Sequence, residues 1–203
     1  MQLEDFQKPI AYEEAELLPI DRWILQRVNE TTRKATSLLN DYEIGQARHE
    51  IDNLFWKDLC DYYIEIAKER LYQPEKHGLK QRYSGQIAMY NSLLGILKLY
   101  AVYTPYVTEY IYQKFYRKYE NEISIYQTIW ETKNENQLYI EFGEHLKGII
   151  SDVRKYKTEK QMSMKDAIPE LIIIYPKKFR DLYKKSEKDI KACTGAEKIL
   201  FRN

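Results

Sequence analysis

A reacting or binding site needs particular side chains at particular spacings. The 203 residues of this chain offer few sets that qualify. The three histidines, His49, His77 and His145, show no ligand spacing with one another or with the two cysteines, Cys60 and Cys193. The seven glycines never cluster into a loop that could cradle a phosphate. Carboxylates are abundant, but on helices an Asp or Glu is ordinarily solvated, and no constellation for acid–base or nucleophilic work emerges. One set is different in kind. Asp61, Ile64, Glu65 and Lys68 form a narrow polar arc, with Lys57 one turn earlier. Lys68 has the chemistry to meet a phosphate. Asp61 or Glu65 can accept from a base amino group, and Ile64 can pack on an unstacked base. By spacing alone the arc reads more simply as a charge ladder, since Lys57–Asp61 and Asp61–Glu65 are i,i+4 neighbours.

The element that positions this arc is a long helix expected from about Ile44 to Tyr72. Ile51, Phe55, Leu59, Tyr62 and Ile66 lie along one stripe at helical spacing, and Trp56, Cys60, Tyr63, Ala67 and Leu71 form a second beside it. Together they cover roughly half the cylinder, more than the usual arc of about 100°, so the helix belongs in the middle of a bundle. Ile64 falls at the margin of that arc. Arg70 points into its middle near the helix end, where an ion pair with a bundle acid is required, because a buried unpaired charge is very costly.

Breakers set the remaining organisation. Residues 1–17 lack periodicity and read as an extended lead-in. A first helix starts at Pro19-Ile20-Asp21, with Asp21 as N-cap, and buries Ile24, Val28, Ala35 and Leu39. Pro74 and Gly78 separate the long helix from a third, with its stripe at Tyr83, Ile87, Tyr90, Leu94, Leu97 and Ala101. Thr104 as N-cap and Pro105 at the first position open a fourth helix, reaching about Tyr119. After an irregular segment, a fifth is expected from Glu141 to about Glu159. Leu171 to Tyr175, bounded by prolines, is a strand signal; residues 177–192 read as a helix and Lys198 to Phe201 as a second strand. The expected fold is mainly α: an antiparallel helical bundle over residues 18–140, followed by a small α/β appendix over residues 141–203.

Composition limits the alternatives. A hydrophobic fraction of 44% and a charged fraction of 31% suit a soluble globular protein. Net charge is only +1, which gives no argument for nucleic acid, but residues 147–188 carry twelve Lys and Arg against six Asp and Glu. There is no apolar run of about 18 residues and no apolar signal region. Cys60 falls on an apolar stripe and reads as a reduced core thiol, which fits a cytoplasmic protein.

Several segments also resemble one family in the right order. Phe55-Trp56, Cys60-Asp61-Tyr62-Tyr63-Ile64-Glu65 and Lys68-x-Arg70-Leu71-Tyr72 resemble the central helix of the anticodon-binding domain of the valyl-tRNA synthetases. Asp21-Arg22-Trp23-Ile24-Leu25, Thr104-Pro105-Tyr106-Val107-Thr108-Glu109, Ser124-Ile125 with Trp130, and Val153 to Lys160 resemble the flanking pieces. The isoleucyl and leucyl enzymes share the bundle; Cys60-Asp61 favours the valyl type. The resemblance implies tRNA as partner, valine isoacceptors in particular, and places Asp61, Ile64, Glu65 and Lys68 against the anticodon loop. It also implies that the chain is a non-catalytic piece of a larger ligase. Catalytic and editing domains, and the ATP they use, belong to the parent; in this chain no catalytic residue, cofactor, metal or membrane contact is expected. Gln161 to Lys165 superficially resembles the lysine loop of class I synthetases, but it precedes a strand in a chain with no nucleotide fold. A free-standing helical module that binds proteins is the alternative.

Overall fold

A computed structural model describes residues 16–132 and 135–202. Most of the expected lead-in, residues 1–15, lies outside the described residues. Helix α1 spans Pro19–Asn40. Helix α2 runs without a break through three stretches: an α-helical Ile44–Asp52, a π-helical Asn53–Ile64 and an α-helical Glu65–Tyr72. A single turn at Pro74–His77 leads to α3, Leu79–Tyr100. Helix α4 covers Pro105–Ile111 and continues as a π turn over Tyr112–Tyr116. Helix α5 spans Gln137–Glu159. Strand β1 (Ile168–Ile174), helix α6 (Arg180–Thr194) and strand β2 (Ala196–Arg202) complete the fold. The strands pair in parallel, with Ile168 opposite Ala196 and Ile173 opposite Phe201. Parallel neighbours need a crossover, which α6 supplies. Gly195 ends α6 in the left-handed conformation (φ +72°), where a Cβ would also press on the Asp166 carbonyl. The expected mainly α bundle with a small α/β appendix is the architecture observed.

The π stretch alters which faces of α2 are buried. Leu54, Leu59 and Tyr63 are fully buried, and so are Ile66, Ala67 and Arg70 beyond them. A π turn takes more residues than an α turn, so the inward positions drift along the helix. Trp56, expected on the second buried stripe, is instead 60% exposed, while Asp58 turns inward. Buried Asp58 accepts from Arg27 of α1 (2.8 Å) and Lys147 of α5 (2.6 Å), joining three helices. Phe55 is half-buried, edge-on to Trp56 and Tyr100. Cys60 is free and half-buried rather than a fully covered core thiol. On α3, Tyr83 is 39% exposed rather than buried, because that helix turns Ser84, Ile87, Ala88 and Met89 inward.

Two expected caps work otherwise. Leu18 occupies the cap position of α1, and Asp21 lies within the first turn, fully buried. Its carboxylate accepts from Arg70 Nη1 (2.7 Å), the Tyr63 hydroxyl (2.7 Å) and Ser84 Oγ. This is the bundle acid that Arg70 requires. Thr104 caps α4 by position only; its hydroxyl donates back to the Tyr100 carbonyl at 3.2 Å.

The appendix shares the bundle's core. Ile168, Ile173, Tyr183, Ile190 and Ile199 belong to the same buried cluster as Trp23, Leu59 and Ile87. Asp189 of α6 reaches Arg70 Nε at 3.4 Å and His77 Nδ1 at 3.7 Å. Burial pushes the Asp189 carboxyl up to about 6, while Arg70 pulls against the rise. A smaller cluster of Leu94, Ala101, Tyr112, Tyr116 and Ile125 secures α4. There Glu109 accepts from Ser124 Oγ (2.9 Å) and Ile125 N (3.0 Å), so two of the recognised sequence pieces interlock.

Candidate nucleic-acid interface

The polar arc sits where the π stretch of α2 returns to α-helix. Asp61 is exposed, Ile64 is half-buried against the core, Glu65 is half-exposed, and Lys68 is exposed. Glu65 and Lys68 form an i,i+3 ion pair in solvent. Such a pair is worth little and opens easily to another partner. Lys57 and Asp61, the rung that a simple charge ladder would add, both lie exposed. The four predicted residues therefore share one outward strip about two turns long, with one apolar side chain at its margin.

Neighbouring elements frame that strip. From α5, Arg154 donates through Nη2 to the main-chain carbonyl of Asp61 at 2.7 Å, and its guanidinium lies 4.9 Å from the centre of the Tyr62 ring. Lys147 approaches the same ring at 5.5 Å, but Asp58 and Glu144 neutralise it. From α6, Cys193 stands near enough to feel Arg154, Glu65 and Lys68; burial, the largest influence, pushes its thiol up to about 11. Burial, followed by the Asp61 charge, likewise raises Cys60. Neither thiol is a reactive thiolate near neutral pH. Among the described residues no group of three or more His, Cys, Asp and Glu could hold a metal ion.

The turn that resembles a synthetase lysine loop has a structural explanation. Lys157, buried in α5, donates to the carbonyls of Met164 (2.9 Å) and Asp166 (2.6 Å), pinning residues 161–166 against the appendix. Lys157 therefore has no free face for a ligand, although it lies in the basic C-terminal stretch. No helix among the described residues is long and apolar enough to cross a membrane.

Residues 21–173 match the family model described as the anticodon-binding domain of tRNA ligase. The chain belongs to that family. The matched region begins at Asp21, the hub of the buried network, and includes all of α2 with its outward strip. Relatives with curated names agree. The valine–tRNA ligase of Pyrococcus abyssi (strain GE5 / Orsay) is 30% identical over 198 residues, 96% of this chain and 21% of its own length. That of Rickettsia conorii (strain ATCC VR-613 / Malish 7) is 33% identical over 182 residues, 89% of this chain and 22% of its own length. That of Haloarcula marismortui is 34% identical over 147 residues, 72% of this chain and 15% of its own length. The chain thus spans about a fifth of the length of the first two relatives. An anticodon-binding domain needs an accessible surface with polar groups for base edges and phosphates, and the α2 strip has that character. The sequence pattern did not bring Arg154 beside Asp61 and Tyr62. The only signal was that Val153 to Lys160 resembles a family helix.

Proposed function

We propose that this chain binds the anticodon loop of valine tRNA through Asp61, Ile64, Glu65 and Lys68, as part of a valine–tRNA ligase acting in the cytoplasm. The bundle of residues 18–140 carries the contact strip, and residues 141–203 buttress it. The chain itself takes no cofactor and contributes no reacting group. Activation of valine with ATP, transfer to tRNA and editing belong to other domains of the parent. Membership of the anticodon-binding family supports this proposal, as do the valine–tRNA ligase names of the relatives. The observation that carries it is the strip itself: two carboxylates and an ammonium facing solvent beside a half-buried isoleucine, on a helix whose opposite face buries Leu59, Tyr63 and Arg70.

The three side chains should fail in different ways. Lys68→Ala weakens all tRNAs alike, since a phosphate contact carries no sequence information. Glu65→Ala narrows the gap between valine tRNA and an anticodon-altered tRNA by about 1–3 kcal/mol, the worth of a base-edge contact. Ile64→Ala lowers affinity and leaves the fold intact, with a modest fall in melting temperature from its lost packing at the core's margin. Fluorescence anisotropy with both tRNAs reads all three. Equal, small effects would reduce the strip to a solvated face.

One observation favours the protein-binding alternative. A groove of about 740 Å³ between α3 and α4 is lined by Phe55, Met89, Leu97, Tyr100 and Phe115. A chain that binds no tRNA at any salt would shift the assignment there.

A further inference from the structure

The cations around the strip differ in how they are neutralised. Lys68 is paired with Glu65, Lys147 with Asp58 and Glu144, and Arg27 with Asp58 and Glu30. Lys157 is buried on two carbonyls. Arg154 differs from these in its setting. It is half-buried, and among the described residues no carboxylate lies within ion-pair distance of it. Its guanidinium is nevertheless held from two sides, by the Asp61 carbonyl and by the face of Tyr62. A guanidinium carries five N–H donors in a rigid fork, and one is used here. What remains is a charge already oriented and partly dehydrated, with unused donors, touching the backbone of the residue that opens the α2 strip. Orienting a flexible side chain before binding removes part of the entropic cost of contact.

We infer that Arg154 binds a phosphate of the RNA backbone beside the strip, so that the RNA surface is built jointly from α2 and α5. This rests on the proposed function and extends it to an element that no base-reading residue occupies. Tyr62 serves as the platform that fixes the guanidinium plane. Asp61 contributes through its main chain; its own carboxylate is unpaired with Arg154 and faces solvent. A guanidinium suits this position better than an ammonium because its flat face lies on the Tyr62 ring while its fork can offer paired N–H donors to a phosphate.

The test compares the wild-type chain with Arg154→Gln and Arg154→Lys, titrating valine tRNA and an anticodon-altered tRNA across a salt series. Arg154→Gln should weaken both tRNAs by the same factor, about tenfold for one lost charge-assisted contact. Its log Kd against log salt slope should fall by about 0.7–0.9, the mark of one lost phosphate contact. Arg154→Lys should keep the wild-type slope and lie between the two in affinity. A purely structural role for Arg154 would lower thermal stability without changing the slope. If wild type binds and both variants match it in affinity and slope, this inference falls alone. If wild type binds no tRNA, the proposed function falls and takes this inference with it. Should Arg154→Gln fail to fold, Arg154→Met, which removes the charge and keeps the apolar stem on Tyr62, decides: wild-type affinity and salt slope in that variant overturn the phosphate contact.

Discussion

Asp21 shows what a single buried residue does here. It is one acid with a guanidinium, a phenol and a hydroxyl converging on it from α2 and α3. Burial and the Asp21 charge both push the Tyr63 hydroxyl far above its usual range, so Tyr63 remains a donor at any working pH. Removing one member leaves the others dehydrated and unpaired. Asp21→Asn should therefore cost about 3–5 kcal/mol, read as a lower urea midpoint; an unchanged midpoint would place the network outside the stability-determining core. Asp189 supplies a pH signature. It faces Arg70, Asp21, His77 and Glu69, and burial raises its carboxyl to about 6. An acid whose folded pKa exceeds its unfolded value of about 3.9 takes up its proton first in the folded state. Its ionisation thus penalises the fold above pH 6, and the penalty is relieved as pH falls from 6 towards 4. Glu69 acts in the opposite sense. The His77 hydrogen bond is the first cause of its lowered pKa, so its contribution is lost on acidification. Asp189→Asn should abolish only the first effect: between pH 7 and pH 5 the wild type should gain stability relative to the variant in parallel urea melts. A constant difference would show that Asp189 does not titrate in this interval.

At the scale of elements, the π stretch of α2 is decisive. Periodicity at 3.6 residues put Trp56 and Leu59 on adjoining buried stripes, yet only Leu59 is buried. The two should separate cleanly in denaturation. Leu59→Ala should cost about 2–5 kcal/mol, because it leaves a cavity among fixed neighbours. Trp56→Ala should cost under about 1 kcal/mol, since its ring is mostly solvated and touches mainly Phe55. Similar losses for both would mean that α2 keeps α-helical register. Close approach of α1 and α5 is likewise an element-scale demand. A Cβ on Gly143 would collide with the Trp23 ring, so only glycine lets these helices cross at that point.

For the whole molecule, near-neutral charge constrains how RNA can be bound. A net charge of +1 gives no general attraction, so under the proposed function affinity rests on a few local cations such as Lys68 and Arg154. Binding of tRNA by the isolated chain is expected to be weak and to fall steeply between about 50 and 200 mM salt, as counterion release requires. Tight binding that persists in high salt would contradict a phosphate-based contact. The appendix contributes by position. Its α6 packs along the Glu65–Tyr72 stretch of α2, and its acid Asp189 reaches Arg70 beneath the strip.

The order and kind of the elements, the break at Pro74 and Gly78 and the need of Arg70 for an acid partner were all legible in the sequence. Each depends on local spacing, on proline and glycine geometry, or on the cost of an unpaired charge. The polar strip was legible as a pattern, but only the resemblance gave it a ligand. Tertiary structure alone decided that Asp21 abandons its cap for Arg70, that Asp58 turns inward and Trp56 outward, and that Arg154 comes to rest 93 positions along the chain from the carbonyl it holds. A sequence window carries the period of a regular helix. It does not carry a change of that period within the helix, nor a contact between helices, because both are set by which neighbours compete for the same buried space.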